Sequence, residues 1–288
     1  MATKQTKKTP AEAVPSLISN NKLQQMYLTM LKCRMLELHA RNISDGASLK
    51  GKEAAAVGAV IDLGAEDTFV SPFHATTAGF LRGTALRSLL SQLHAPASKN
   101  EKKKRKTSAR ACLSAQSAIA TGIAMARGIG NTGSVTVAFL SQHPGLSEAG
   151  REALLFAEAQ KLPIIYVHIG APEAVQTEAY GFPVIPVDGG DVVAVYRVAH
   201  ECILRARQGG GPSVIACRTL STTEAGKKSL DPLHNMEKYL SSKGLFKNEE
   251  KQRILHAFEK EIEQAIKAAK RAAASKDQAD STQHVFPL

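Results

Sequence analysis

Two apolar runs, Val135–Leu140 and Lys161–His168, decide what this chain can fold into. Neither alternates cleanly between apolar and polar residues, so both faces of each strand need cover. The segment between them, Ser147–Gln160, has the length and pattern of a helix. Strand, helix and strand in that order read as parallel neighbours joined by a crossover. In such a sheet a ligand sits in the crevice beyond the carboxyl ends of the strands. The residues that leave the first strand, Ser141, Gln142 and His143, are therefore the first place to look for chemistry.

The same alternation extends along the chain. From Asn20 to about Ile43, Leu23, Met26, Tyr27, Met30, Leu31, Met35 and Leu38 keep helical spacing, with Asn20 or Asn21 as the cap. Further helices are expected at Glu53–Leu63, Leu86–Leu93, Cys112–Arg127 and Asp191–Arg207. Short strands are expected at Asp67–Ser71 and Ser213–Arg218. Val184-Ile-Pro-Val187 reads as an edge strand, because proline cannot donate to a ladder. A long amphipathic helix over 249–273 presents Ile254, Phe258, Ile262 and Ile266 on one face. The fold class is α/β, a parallel sheet covered by helices on both faces. The organisation is a loosely attached tail (1–19), one α/β domain (20–275) with a basic loop at 97–108, and a C-terminal tail (276–288).

The net charge of +11 raises the question of nucleic acid. Residues 1–10 contribute +3 and residues 99–106 contribute +5, which leaves +3 for everything else. The basicity belongs to a tail and a loop rather than a folded face, and no aromatic side chain stands among those lysines to stack a base. Solvated charge is the preferred reading, and a nucleic-acid-binding basic loop at 99–106 is the weaker alternative. Cys33, Cys112, Cys202 and Cys217 lack metal-ligand spacing and sit in apolar contexts, as free thiols of a reducing cytoplasm do. No apolar run approaches a membrane span, and residues 1–10 lack the apolar centre of a signal peptide.

Three short motifs invite chemistry and decline it on context. Gly128-Ile-Gly-Asn-Thr-Gly133 matches a dinucleotide fingerprint. That fingerprint follows a strand and opens a helix, whereas here a helix ends and a strand follows. Gly145-Leu-Ser147 lies too far from Leu140 for a nucleophile elbow, so Ser147 reads as a helix cap. The histidines form no H-x-x-x-H pair; His143 and His168 end neighbouring strands and read as neutral, hydrogen-bonded residues rather than metal ligands.

Taken together, several segments resemble the alpha chain of the thiamine-diphosphate-dependent first component of 2-oxoacid dehydrogenases, of the pyruvate, branched-chain and acetoin type. They are Arg34-Met-Leu-Glu37, Gly51-Lys-Glu-Ala-Ala-Ala-Val-Gly58, Leu81-Arg-Gly83, Ala120-Thr-Gly122, Arg151–Ala157 with Leu162-Pro163, and Asp231-Pro-Leu233. The likeness covers most of residues 20–273. It implies a thiamine-diphosphate-binding fold, an oxidoreductase acting on the oxo group of 2-oxo acids, thiamine diphosphate and magnesium as cofactors, and a beta-type chain as partner.

The resemblance also implies where the cofactor contacts should stand. A family Gly-Asp-Gly triplet falls on Ser141, Gln142 and His143, and an Asn pair falls on Gly170 and Ala171. The Asp and the second Asn of the family ligate magnesium, so Gln142 and Ala171 replace both ligands; magnesium prefers hard, anionic oxygen. A family Tyr-Arg falls near Phe73 and His74, and the family's glycine-rich cofactor segment is replaced by the lysine loop. The His-Ser loop expected after Arg218-Thr-Leu is absent. These departures lead to two expectations: a relative that has lost the cofactor and acts by association, as a homodimer or with a beta-type chain, or an active decarboxylating subunit with altered diphosphate contacts.

Overall fold

Strands β1 (Thr68–Val70), β2 (Thr136–Phe139), β3 (Ile164–Gly170), β4 (Val184–Asp188) and β5 (Ser213–Arg218) pair in parallel in the order β1-β2-β3-β5-β4. This is a computed structural model that describes residues 18–40, 47–94, 116–130, 133–140, 148–170, 181–219 and 231–282. Outside them fall the tail to residue 17, the basic loop, Cys112, Ser141, Gln142, His143, Ser147, Ala171 and residues 283–288. The helices are α1 (Asn20–Ala40), α2 (Glu53–Val60), α3 (Ala75–Leu81), α4 (Leu86–His94), α5 (116–129), α6 (Glu148–Ala159), α7 (Val192–Arg207), α8 (Pro232–Ser242) and α9 (Asn248–Thr282).

The side-chain period of two sorts each central strand between two cores. Val137 and Phe139 of β2, Ile165, Val167 and Ile169 of β3, and Ile215 and Cys217 of β5 pack with α1, α2, α7 and α8. Their neighbours in sequence, Ala138, Ile164, Tyr166 and Val214, join Ala120 and Ala124 of α5 and Leu154 and Ala157 of α6 on the opposite face. This is the expected layering, with helices on both faces of a parallel sheet. Strand β4 lies at the edge, where Pro186 is tolerated. The small residues of α2 serve close packing: a Cβ on Gly58 would stand 2.9 Å from Val195 Cβ of α7. A third cluster, Met35, Leu36, Leu86, Leu90, Phe258, Ile262 and Ala265, ties α9 to α1 and α4.

Several local expectations need correction. The cap of α1 is Ser19, whose Oγ accepts the Lys22 N–H at 3.2 Å, so Asn20 and Asn21 are inside the helix. Leu38 is 62% exposed, and Leu36 and Glu37 take the buried positions instead. Helices α3 and α8 were not anticipated: the first is a single short segment, and the second begins at Pro232 with Asp231 as its cap. Lys161 belongs to the turn after α6, with φ 50°, and β3 begins only at Ile164. Helix α9 runs to Thr282 rather than ending at 273 as expected for it, with Ala265 and Ala269 buried and Ile254 and Ile266 only partly covered. Ile18 is already part of the core. Among the described residues no helix is long and apolar enough to cross a membrane. Cys33, Cys202 and Cys217 are free and buried.

At the amino edge of the sheet, Asp67 ties distant elements together. Its Oδ1 accepts the Val135 N–H at 2.9 Å, and its Oδ2 accepts Gly64 N–H at 2.7 Å and Arg207 Nη2 at 2.6 Å. Asp67 is 3% exposed, so removing it strands a buried backbone donor at the start of β2. Asp67→Ala is expected to lower stability by about 2–4 kcal/mol, read from urea or guanidinium unfolding.

Candidate functional site at the carboxyl edge of the sheet

Strands that are apolar on both faces push polar chemistry to their ends. The relevant end is the carboxyl edge, where β1, β2 and β3 lie side by side in parallel. Thr68 of β1 pairs with Thr136 of β2, and Thr136 with Ile164 of β3. Phe73 and His74 follow β1, Leu140 follows β2, and Gly170 closes β3. These positions line one edge, and β2 separates Phe73 and His74 from Gly170. Ser141, Gln142 and His143, the continuation of β2, and Ala171, the continuation of β3, lie outside the described residues.

Phe73 is packed, at 5% exposure, with its ring 5.2 Å from that of Phe139. Its backbone is fixed from two sides: Phe73 bridges to Ala47, and its N–H donates to Ser71 Oγ at 3.1 Å. His74 occupies the cap position of α3 with extended backbone, and its Nε2 stands 3.3 Å from Glu37 Oε1. Both side chains point into packed structure. His168 near the end of β3 is also buried, and burial holds its imidazole below its usual value, which keeps it neutral. Gly170 leaves room for that ring: a Cβ there would stand 3.2 Å from His168 Cε1.

Beneath the β1 end lies a network of buried charge that the sequence showed only as separate motifs. Arg34 and Glu37 are three residues apart on α1, hence on one face. Arg34 Nε donates to Glu53 Oε1 of α2 at 2.8 Å, and Nη1 donates to Asp231 Oδ2 at 2.7 Å. Asp231 in turn caps α8, its Oδ1 accepting the Leu233 N–H at 3.1 Å. Glu37 accepts the Leu49 N–H at 3.2 Å and the Thr77 hydroxyl at 3.3 Å. Burial would raise the Glu37 carboxyl, but hydrogen bonds from His74, Ser48 and Leu49, with the His74 charge, hold it below the ordinary carboxylate range. Asp231 is likewise held low: burial raises it, and Arg34 more than offsets this. Lys52, half-buried, has its ammonium lowered by desolvation against the opposing pull of Glu37 and Glu53. Glu53 Oε2 is buried without a hydrogen-bond partner among the described residues. Arg34, Glu37, Glu53 and Asp231 lie in segments that carry the family resemblance; nothing local pointed to Thr77 or to the pairing of Arg34 with Asp231.

The comparisons with known proteins settle what scaffold this is. A family model described as "Dehydrogenase E1 component" matches residues 23–169, 170–222 and 216–277. The chain belongs to the dehydrogenase E1 component family. Within it, the chain is 27% identical over 308 aligned positions to the 2-oxoisovalerate dehydrogenase subunit alpha of Bacillus subtilis, covering 88% of this chain and 92% of that one. It is 32% identical to a pyruvate dehydrogenase E1 component subunit alpha of Staphylococcus epidermidis, over 50% of this chain and 48% of the relative. With the alpha subunit of acetoin:2,6-dichlorophenolindophenol oxidoreductase of B. subtilis it shares 35% identity, over 35% of each chain. The latter two matches thus span about half and about a third of those relatives' lengths. Among solved structures, transketolase of Campylobacter jejuni aligns with 90% of this chain and 48% of its own length, at 17% identity and a TM-score of 0.43. The expected family is therefore shown, as alpha chains of 2-oxoacid dehydrogenases.

In this E1-family chain the Glu37 network makes a pH prediction whose sign follows from a lowered carboxylate. Its contribution is present above the unfolded carboxyl value near ~4.3 and is lost as pH falls through the lower folded value. Glu37→Gln should lower stability by about 1–3 kcal/mol at neutral pH. That deficit should shrink below about pH 4 as the wild-type carboxylate is itself protonated, measured by denaturant unfolding across pH.

Proposed function

We propose that this chain is a 2-oxoacid dehydrogenase alpha-type subunit that has lost thiamine diphosphate and magnesium binding and acts through association, without catalysis of its own. The observation that carries the reading is the residue type at the two positions where the resemblance puts the magnesium ligands. The family's two magnesium ligands fall on Gln142, which is uncharged, and on Ala171, which has no donor atom. Magnesium gives up water reluctantly and favours anionic oxygen, so these residues do not fit a magnesium diphosphate. Support also comes from the β1 end. The family's Tyr-Arg falls near Phe73 and His74, where the phenyl ring offers no hydroxyl and packs on Phe139, and the imidazole turns to Glu37. Neither brings the phenol hydroxyl or the guanidinium that the family's Tyr-Arg would offer an anion. Three buried thiols accord with a cytoplasmic setting. The relatives are named as alpha subunits, and a second protein chain is expected here too, as another copy or as a beta-type chain.

A second reading keeps this chain as a working oxidoreductase subunit that, with a beta-type chain, decarboxylates a 2-oxo acid using thiamine diphosphate. What favours it is the breadth of the family match, which runs through nearly all of residues 23–277. The two readings separate in a calorimetric titration of the full chain with thiamine diphosphate and magnesium. The first expects no saturable heat, and micromolar affinity would overturn it. The second expects 2-oxoacid-dependent reduction of an artificial electron acceptor once cofactor and a beta-type chain are added.

A further inference from the structure

A cavity of about 70 Å³ lies where α1 meets the last turn of α8 and the start of α9. It is about two turns of α1 away from Arg34. Its wall is apolar: Tyr27 and Leu28 of α1, Leu240 of α8, Leu245 and Phe246 of the turn that follows, and Ile254 of α9. That wall is held in place. Gly244, with φ 68°, ends α8 in a Schellman turn: its N–H returns to the Ser241 carbonyl at 3.0 Å, and the Leu245 N–H to the Leu240 carbonyl at 2.8 Å. The Tyr27 ring meets Phe246 edge to face, with centroids 5.9 Å apart, and its hydroxyl donates to Glu237 Oε1 at 2.8 Å. Lys251 Nζ donates to the same oxygen at 2.7 Å. A cavity whose wall is already fixed takes a ligand with little reorganisation.

The rest of the lining carries charge of both signs. Lys251 is already matched by Glu237, but Lys247 and Glu250 are exposed. Among the described residues, neither of those two side chains is in an ion pair. They stand three residues apart at the start of α9, an ammonium and a carboxylate on one rim. Size and charge together select the ligand. The volume equals about five buried waters, the bulk of one branched aliphatic side chain or one phenyl ring and far less than a nucleotide needs. An apolar carboxylate would meet Lys247 but set its charge against Glu250, and an apolar amine would do the reverse. A molecule with ammonium and carboxylate on the carbon that bears its apolar side chain meets both. Gln24 of α1, in the same lining, offers an amide to either group. We propose that this cavity binds a free apolar α-amino acid, its side chain among Leu28, Leu240, Phe246 and Ile254, its carboxylate toward Lys247 and its ammonium toward Glu250. A ligand held there bridges α1, α8 and α9, so binding stabilises the fold. The site shares no residue with the carboxyl edge and is independent of whether thiamine diphosphate binds.

Calorimetric titration of the full chain with L-leucine and with L-phenylalanine decides it. At least one is expected to give saturable heat at millimolar concentration or below and to raise the Tm, and saturation by neither would overturn the proposal. Two analogues carry the leucine side chain with a single charge: 4-methylpentanoate lacks the ammonium, and isopentylamine lacks the carboxylate. Each should bind at least tenfold more weakly than L-leucine, and an analogue that binds as tightly as the amino acid would overturn the assignment of the two charges. The double variant Lys247→Ala with Glu250→Ala changes exposed positions only. It should weaken amino-acid binding at least tenfold while the circular dichroism melt without ligand stays unchanged. Ile254→Trp, which fills the cavity from a half-buried position, should abolish the binding heat. Affinity unaffected by both variants would overturn the proposal.

Discussion

Strands β2, β3 and β5 are apolar on both faces, and the rest of the molecule follows from that constraint. A strand with no polar face needs a helical layer on each side, which accounts for α1, α2, α7 and α8 on one face and α5 and α6 on the other. It also leaves little room within the central strands for charged side chains. Among the described residues, Asp67 lies at the amino edge, and His74 and His168 lie toward the carboxyl edge.

At the carboxyl edge the same economy governs charge. Burying Glu37, Glu53 and Arg34 is tolerable only because each meets an opposite charge or an N–H donor, and those partners come from five elements. The network braces α1 against α2, α3, α8 and the segment before α2. It also engages His74, whose Nε2 stands 3.3 Å from Glu37 Oε1.

Much of the fold was legible in local pattern. The runs at Val135–Leu140 and Ser213–Arg218, the edge position of Val184–Val187 and the helix beginning after Asp191 all follow from residue type and period. The misses have physical causes. Ser19 was passed over because Asn20 and Asn21 are equally good caps by composition, and only the geometry of the first turn chooses among them. Helix α3 is too short to show a period, and α8 opens with a proline that reads equally well as a break. At the candidate site, the identity of Phe73, His74, Gln142 and Ala171 was readable against a family pattern, but the burial of Phe73 and the turn of His74 toward Glu37 were not.

By itself the sequence determined the α/β class, the succession of elements and the family. These depend on residue type and on neighbours a few positions away. Tertiary structure alone decided that Arg34 pairs with Asp231 and Asp67 with Arg207. Such pairings join groups more than a hundred residues apart, and only the packing of the layers brings them within reach.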